Sequence, residues 1–203
     1  RYWYDGTSWL PPWTYTDDFS NPSLWTHVGS GTSVTGGQGV YTSLSADLSN
    51  YMTSDMGKTI SDTLFTFDID IRRTGYSGGR VFYPFGLGST VDSLGNSSSL
   101  TNDWVAVRHD TDVPALSPPD RGNCEGHEAG GSGFGIGNVS YTSTAFTYQR
   151  IVRSSATVIE YLIYSNSART SLTGSNSSTS VPSTLGGLRY IVVGGSNNNT
   201  GGG

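Results

Sequence analysis

Two carboxylates and a guanidinium alternate with apolar residues in the segment 63–73. Asp68, Asp70 and Arg72 occupy every second position, and phenylalanine or isoleucine stands at 65, 67, 69 and 71. In an extended chain such side chains point to one side, with neighbours roughly 7 Å apart. Closely spaced carboxylates can transfer protons or accept hydrogen bonds from hydroxyl groups. The row is therefore a candidate catalytic site or ligand groove, and an ion-paired or solvated strand face is the alternative.

The element that must position this row is a β-strand. The alternation over 63–73 predicts a half-buried strand at the centre of a sheet, with 80–87 as its antiparallel neighbour beyond a glycine-rich turn. Further strands are predicted at 39–48, 103–109, 134–139, 145–153, 157–165 and 188–194, with turns at 166–168 and 174–178. Short strands at this spacing, with almost no helical periodicity, predict an all-β sandwich or barrel.

A second group of chemically active residues gathers in 109–128. The segment 110–133 is predicted to be a long loop, and loops of this length in compact domains are usually functional. Its carboxylates suit calcium, the one cofactor that the sequence indicates. The candidate calcium ligands are Asp110, Asp112, Asp120 and Glu125. Zinc bound by Cys124, His127 and His109 is a competing assignment, and an exposed polar loop without a metal is the interpretation that the sequence favours over either metal.

Composition limits the partners of this chain. Charged residues make up 13% of the 203 residues, and the net charge is -5. Lys58 is the single lysine, so the clustered positive charge that binds nucleic-acid phosphates is missing and no such partner is expected. Apolar runs are too short for insertion into a membrane. Abundant serine, threonine and asparagine favour an extracellular, cell-surface or virion-surface location.

The first sixteen residues are rich in aromatic rings. Three tryptophans and three tyrosines surround Pro11 and Pro12. Exposed rings at this density favour association. We therefore expect an aromatic arm, 1–16, that packs on its own domain or on a neighbouring subunit of an oligomer or larger assembly. A stacking platform for sugar rings is the alternative, and a sandwich domain is expected over 17–203.

Four segments carry a pattern of strands and turns. They read DDFSNPSLWT from position 17, FTFDIDIRR from 65, YQRIVRSSATVIEYLIYSNSARTSL from 148 and VPSTLGGLRYIVVGG from 181. Together they resemble the concanavalin A-like lectin and glucanase domains of viral, archaeal and bacterial surface proteins. The resemblance covers roughly residues 17–195. It implies an antiparallel two-sheet jelly-roll sandwich in which one bent sheet forms a concave groove for sugars.

Laminarinase-type hydrolases with this fold use an E-x-D-x-(x)-E strand whose carboxylates face the groove. Asp68 and Asp70 match the spacing of the first two, but Arg72 or Arg73 stands where the third is needed. An arginine beside a carboxylate lowers its pKa, which is the opposite of what a proton donor requires. The resemblance therefore favours a module without catalytic residues.

We expect this module to bind glycans. The predicted glycan-binding residues are Asp68, Asp70 and Arg72, with Trp104 or Tyr164 stacking on the sugar. A structural domain that docks on neighbouring subunits through its aromatic arm is the first alternative. A polysaccharide hydrolase or lyase is the second.

Overall fold

The computed structural model describes residues 3–4, 9–10, 15–41, 50–72, 81–92, 94, 102–110, 120–131, 133–141, 146–194 and 196–197. One 3-10 helix, Pro22–Leu24, and seventeen β-strands lie in these ranges. The strands are β1 (Trp3–Tyr4), β2 (Trp9–Leu10), β3 (Trp25–Val28), β4 (Thr32–Thr35), β5 (Gln38–Tyr41), β6 (Tyr51–Asp55), β7 (Phe65–Ile71), β8 (Val81–Gly88), β9 (Trp104–Asp110), β10 (Asp120–His127), β11 (Gly133–Gly135), β12 (Val139–Tyr141), β13 (Thr147–Ser155), β14 (Val158–Tyr164), β15 (Leu172–Ser178), β16 (Tyr190–Val193) and β17 (Ser196–Asn197).

Two antiparallel sheets account for most of these strands. Within the described residues, nine strands form the larger sheet, in the order β11-β10-β9-β8-β16-β6-β3, with β12 beside β10 and β17 beside β8. Four strands form the smaller sheet, in the order β15-β14-β13-β7. Two short ladders, β1 with β2 and β4 with β5, form separate two-stranded sheets.

The main core lies between the two sheets. Alternation on β9 turns Val105 and Val107 inward, and alternation on β14 does the same for Ile159 and Ile163. The rings of Phe67 on the smaller sheet and Phe85 on the larger sheet lie 5.8 Å apart across this core. The predicted all-β antiparallel sandwich is therefore confirmed. Among the described residues, no helix is long and apolar enough to cross a membrane.

Among the described strands, the one that carries Asp68 and Asp70 lies at an edge. β7 alternates as predicted, but in this part of the chain it ends the smaller sheet and pairs with β13. The expected pairing of 63–73 with 80–87 is wrong, because β8 lies in the larger sheet between β9 and β16. β7 and β8 follow each other in the sequence but belong to different sheets, which face each other across the core. The short connection between them therefore does not form a hairpin.

The prediction of a loop over 110–133 is wrong for β10. This strand pairs with β9 on one side and with β11 and β12 on the other. Its inward positions are Gly122, Cys124 and Gly126, which do not give the apolar alternation of an ordinary strand. A Cβ at Gly122 would lie 2.5 Å from the hydroxyl of Tyr161, and one at Gly126 would lie 2.3 Å from the ring of Phe134.

The prediction of a turn at 174–178 is also wrong. These residues belong to β15, which pairs with β14 at the other edge of the smaller sheet. Their serines and asparagine are mostly exposed, and a polar edge strand of this kind gives no periodic signal in the sequence. The predicted turn at 166–168 does connect β14 to β15.

Candidate ligand-binding face

The carboxylates of β7 lie on the outer face of the smaller sheet, where arginines bind both of them. Register places Arg150 of β13 opposite Asp68. Nε and Nη2 of Arg150 donate to the two oxygens of Asp68 at 2.6 and 2.7 Å. Nη2 of Arg169 donates to Oδ1 of Asp70 at 2.6 Å, and its Nε lies 3.4 Å from Oδ1 of Asp68. The hydrogen bond to Asp68 raises the pKa of Arg150.

Aromatic rings on the same face lie beneath these guanidinium groups. Arg150 lies over Tyr164 at 5.8 Å, and Arg169 lies over Tyr148 at 6.0 Å. Arg72 lies over Phe146 at 5.0 Å. The predicted residues Asp68, Asp70, Arg72 and Tyr164 therefore share a sheet face, whereas Trp104 lies on the larger sheet. The five predicted glycan-binding residues do not form one cluster.

A different group of polar side chains meets on the outer face of the larger sheet. Because Val107 and Cys124 point into the core, the positions that alternate with them on β9 and β10 point outward. These outward residues include Arg108, Asn123, Glu125 and His127, which we call the polar strip. Register pairs Arg108 with Asn123, Ala106 with Glu125 and Trp104 with His127.

Glu125 is the centre of the polar strip. Its Oε2 accepts a hydrogen bond from the hydroxyl of Tyr83 at 2.8 Å, and its Oε1 accepts one from Nη1 of Arg108. The side chains of Arg108 and Glu125 keep 28% and 20% of their exposure, so solvent reaches the pair. Burial, followed by the charge of Glu125, raises the pKa of Tyr83. Tyr83 therefore stays protonated and acts as a hydrogen-bond donor.

Aromatic rings surround one end of the polar strip. The ring of His127 is stacked on Trp104 at 6.4 Å, and Tyr83 meets Trp104 edge to face at 5.6 Å. Tyr83 and Trp104 belong to an apolar cluster on this outer face. The other buried members are Leu94, Ala106 and Val192, with Tyr51 and Tyr190 packed against them. The polar strip therefore combines charged and aromatic groups on neighbouring strands.

Some buried polar atoms on this face have no hydrogen-bond partner in the part of the chain that the structure describes. They include Nε1 of Trp104, Oδ1 of Asn123 and Nδ1 of His127. The amide of Asn123 is oriented by its Nδ2, which donates to Oδ1 of Asn138 at 3.1 Å. Buried polar groups are normally hydrogen-bonded, so these exceptions on adjacent strands require an explanation.

Of the predicted calcium ligands, Asp110 and Asp120 belong to one end of the β9–β10 ladder, and Glu125 lies further along β10. Glu125 is held by a cation, Arg108, instead of standing among carboxylates. Register pairs Asp110 with Arg121 and Asp120 with Tyr141. Asp112 lies outside the described residues. Within the described ranges, no three acidic, histidine or cysteine side chains are grouped to hold a metal ion.

The zinc assignment is wrong because its ligands are kept apart. Cys124 is buried in the main core, and burial raises the pKa of its thiol. His127 occupies the opposite face of β10. His109 is buried in a polar network in which its Nδ1 lies 2.8 Å from the hydroxyl of Tyr141 and its Nε2 lies 3.4 Å from Nε2 of Gln149.

Sequence reasoning did not assign Tyr83, Arg108 or Asn123 to a site. It considered Glu125 and His127 only as metal ligands within a loop. The available signal was the spacing of Asn123, Glu125 and His127 at every second position, with small residues between them. Such spacing is typical of a strand when the small positions face bulky rings of another element.

Comparison with known proteins gives a likeness in fold alone. No family model matches the chain, and no curated protein matches it. Among solved structures, it is similar to the enzymatically active domain of tailspike protein 2 of bacteriophage CBA120, with 13% sequence identity and a TM-score of 0.51. The match covers 85% of this chain and 26% of the tailspike chain, so this chain corresponds to about a quarter of that protein.

Proposed function

We propose that this chain is a concanavalin A-like jelly roll that acts as a non-catalytic glycan-binding module on an extracellular or virion surface. Its ligand lies on the outer face of the larger sheet, over the polar strip. The similarity in fold to a bacteriophage tailspike domain supports the virion location. The sequence resemblance to lectin-like surface domains supports the jelly-roll assignment.

One observation carries the proposal: the solvent-accessible pair of Arg108 and Glu125 lies next to the rings of Tyr83 and His127. Sugar hydroxyls need acceptors and donors side by side, which a carboxylate and a guanidinium supply. The apolar faces of sugar rings pack on exposed aromatic side chains, and on this face His127 is partly exposed whereas Tyr83 is 4% exposed. Specific sites generally combine apolar rings with a few fixed polar groups, as this face does.

The electrostatics favour binding over hydrolysis. A glycosidase needs one carboxyl group with a raised pKa to protonate the leaving group. Glu125 is paired with Arg108, and Asp68 and Asp70 are paired with arginines on the other sheet. In these pairs the carboxylate oxygens accept hydrogen bonds from guanidinium groups, which suits a binding face better than a proton donor. Tyr83, with its raised pKa, is equally unsuited to be the base of a lyase.

A glycan array followed by calorimetric titration tests this function. We expect the folded chain to bind glycans and His127→Ala to weaken the affinity about tenfold, because the substitution removes a ring stacked at the edge of the site. Asp68→Asn is the matched control on the smaller sheet and should change the affinity less than about twofold.

Three results would contradict this proposal. A folded chain that binds no glycan on the array would exclude the function. A loss of affinity in Asp68→Asn, with His127→Ala unaffected, would place the ligand on the smaller sheet with the residues that the sequence predicted. Release of reducing ends or unsaturated products from a polysaccharide panel would make the chain a hydrolase or lyase.

A further inference from the structure

We propose that the polar strip selects uncharged glycans and that Glu125 is the residue that excludes acidic ones. This inference rests on the proposed function and names the class of ligand for the same site. The sequence and the fold alone do not distinguish neutral from acidic glycans, because an arginine and a carboxylate are both present on this face.

The charges at the centre of the strip are already compensated. An acidic sugar would bind to the guanidinium of Arg108, but that group already donates a hydrogen bond to the carboxylate of Glu125. A ligand carboxylate or sulfate would have to approach Arg108 beside the negative charge of Glu125, and like charges at such distances repel. A neutral hydroxyl meets no such repulsion.

The three unpartnered atoms include both a hydrogen-bond donor and an acceptor. Nε1 of Trp104 is a donor, Oδ1 of Asn123 is an acceptor, and Nδ1 of His127 is one or the other according to its tautomer. Trp104 and Asn123 are only 8% and 9% exposed. The free-energy cost of removing their polar atoms from water is therefore incurred on folding and not on ligand binding. Each of the three atoms is buried, so we expect a hydroxyl group of a ligand to reach it through a bridging water molecule or after the side chain rotates outward.

An ionised acid group is a poor partner for the three unpartnered atoms. Carboxylate and sulfate oxygens only accept hydrogen bonds, so they would leave Oδ1 of Asn123 facing another acceptor. Register sets the length of the site as well. His127 and Asn123 are separated by four strand rises, about 14 Å, with Glu125 midway. The strip is thus long enough for more than one ring of an oligosaccharide.

Matched oligosaccharides provide the test. Linear hexasaccharides of glucose, mannose and galactose, and the same compounds oxidised at C6 to uronates, are titrated calorimetrically into the chain. We expect at least one neutral compound to bind at least about tenfold more tightly than its oxidised form. Its affinity should change less than about twofold when NaCl is raised from about 0.05 to 0.5 M.

The variant Glu125→Gln tests the role of the carboxylate. Glutamine keeps the size of the side chain and an oxygen for Tyr83, but it removes the negative charge beside Arg108. We expect the affinity for the oxidised compound to rise at least about tenfold, while that for the neutral compound stays within about threefold. Asp68→Asn, which removes a carboxylate from the other sheet, is expected to change neither affinity.

The outcomes separate the two proposals. Wild-type protein that prefers the oxidised compounds would overturn the inference and leave the glycan-binding function intact. Folded protein that binds neither class would overturn the function itself. If Glu125→Gln gains no affinity for the oxidised compound, Glu125 is not the excluding residue. If that variant does not fold, the wild-type preference and its salt dependence still decide the inference.

Discussion

Arg153 shows how a single residue can hold one end of the sandwich together. It is 1% exposed, yet it carries a charge. Its guanidinium donates to the carbonyl oxygens of Ala156, Pro182 and Leu185. Burial lowers the pKa of Arg153. The segment that it holds also includes Gly186, whose amide binds Asp103 next to the candidate face.

We predict that Arg153→Lys lowers the free energy of unfolding by about 3 kcal/mol, because one ammonium group cannot reach carbonyl oxygens on two segments. Urea denaturation followed by tryptophan fluorescence measures the change. Arg189→Lys is the control, since Arg189 forms an exposed ion pair with Asp55. It should leave stability unchanged within error. Equal effects in the two variants would refute a structural role for the buried charge.

At the scale of the element, β10 depends on glycines that face bulky side chains. The space at Gly122 is taken by the hydroxyl of Tyr161, which donates to Oε1 of Gln149 at 2.8 Å. Tyr161 and Gln149 belong to adjacent strands of the opposite sheet. The fit of β10 against the smaller sheet therefore depends on the absence of a side chain at this position.

Gly122→Ala should destabilise the protein by about 2 kcal/mol, because the added methyl group overlaps Tyr161 and disturbs its hydrogen bond. The midpoint of urea denaturation reports the loss. Gly133→Ala on the neighbouring β11 provides the comparison, because a Cβ there would meet its nearest atoms at 3.4 and 3.5 Å. We expect that variant to stay within about 0.5 kcal/mol of the wild type. If the two alanines cost the same, steric exclusion at Gly122 is not the cause.

At the scale of the whole molecule, the boundary between the aromatic arm and the sandwich can be examined at Tyr15. Its ring packs against the main core, and its hydroxyl lies 3.0 Å from Oγ of Ser54. A deletion intended to spare the sandwich should therefore end at residue 14. Most of the predicted arm lies outside the described residues, so its docking partner stays a prediction.

If the arm mediates assembly, deletion of 1–14 should convert an oligomer into a monomer while the sandwich stays folded. Light scattering measures the mass, and near-ultraviolet circular dichroism reports the packing of the remaining aromatic rings. An unchanged mass would contradict the assembly hypothesis. Loss of the near-ultraviolet signal would mean instead that the arm is part of the folded domain.

Local alternation made several elements predictable. β7, β13 and β14 lie where the sequence placed them. In β7 and β14 apolar residues at every second position face the core, whereas most inward positions of β13 are polar or charged. β10 was not predictable in this way, since the size of its inward residues is set by Tyr161 and Phe134. β8 was expected to pair with β7 but pairs with β9 and β16. Pairing depends on which sheet a strand joins, and local alternation does not determine this.

The same division applies to the candidate site. The sequence by itself determined an all-β chain and a strand bearing Asp68 and Asp70, because side-chain alternation is a local property of extended backbone. Only the tertiary structure decided that these carboxylates are bound by arginines 82 and 99 residues away. It also decided that Tyr83, Arg108 and Glu125 meet on the other sheet. Such contacts depend on how distant strands are ordered and on their register, which local periodicity does not encode.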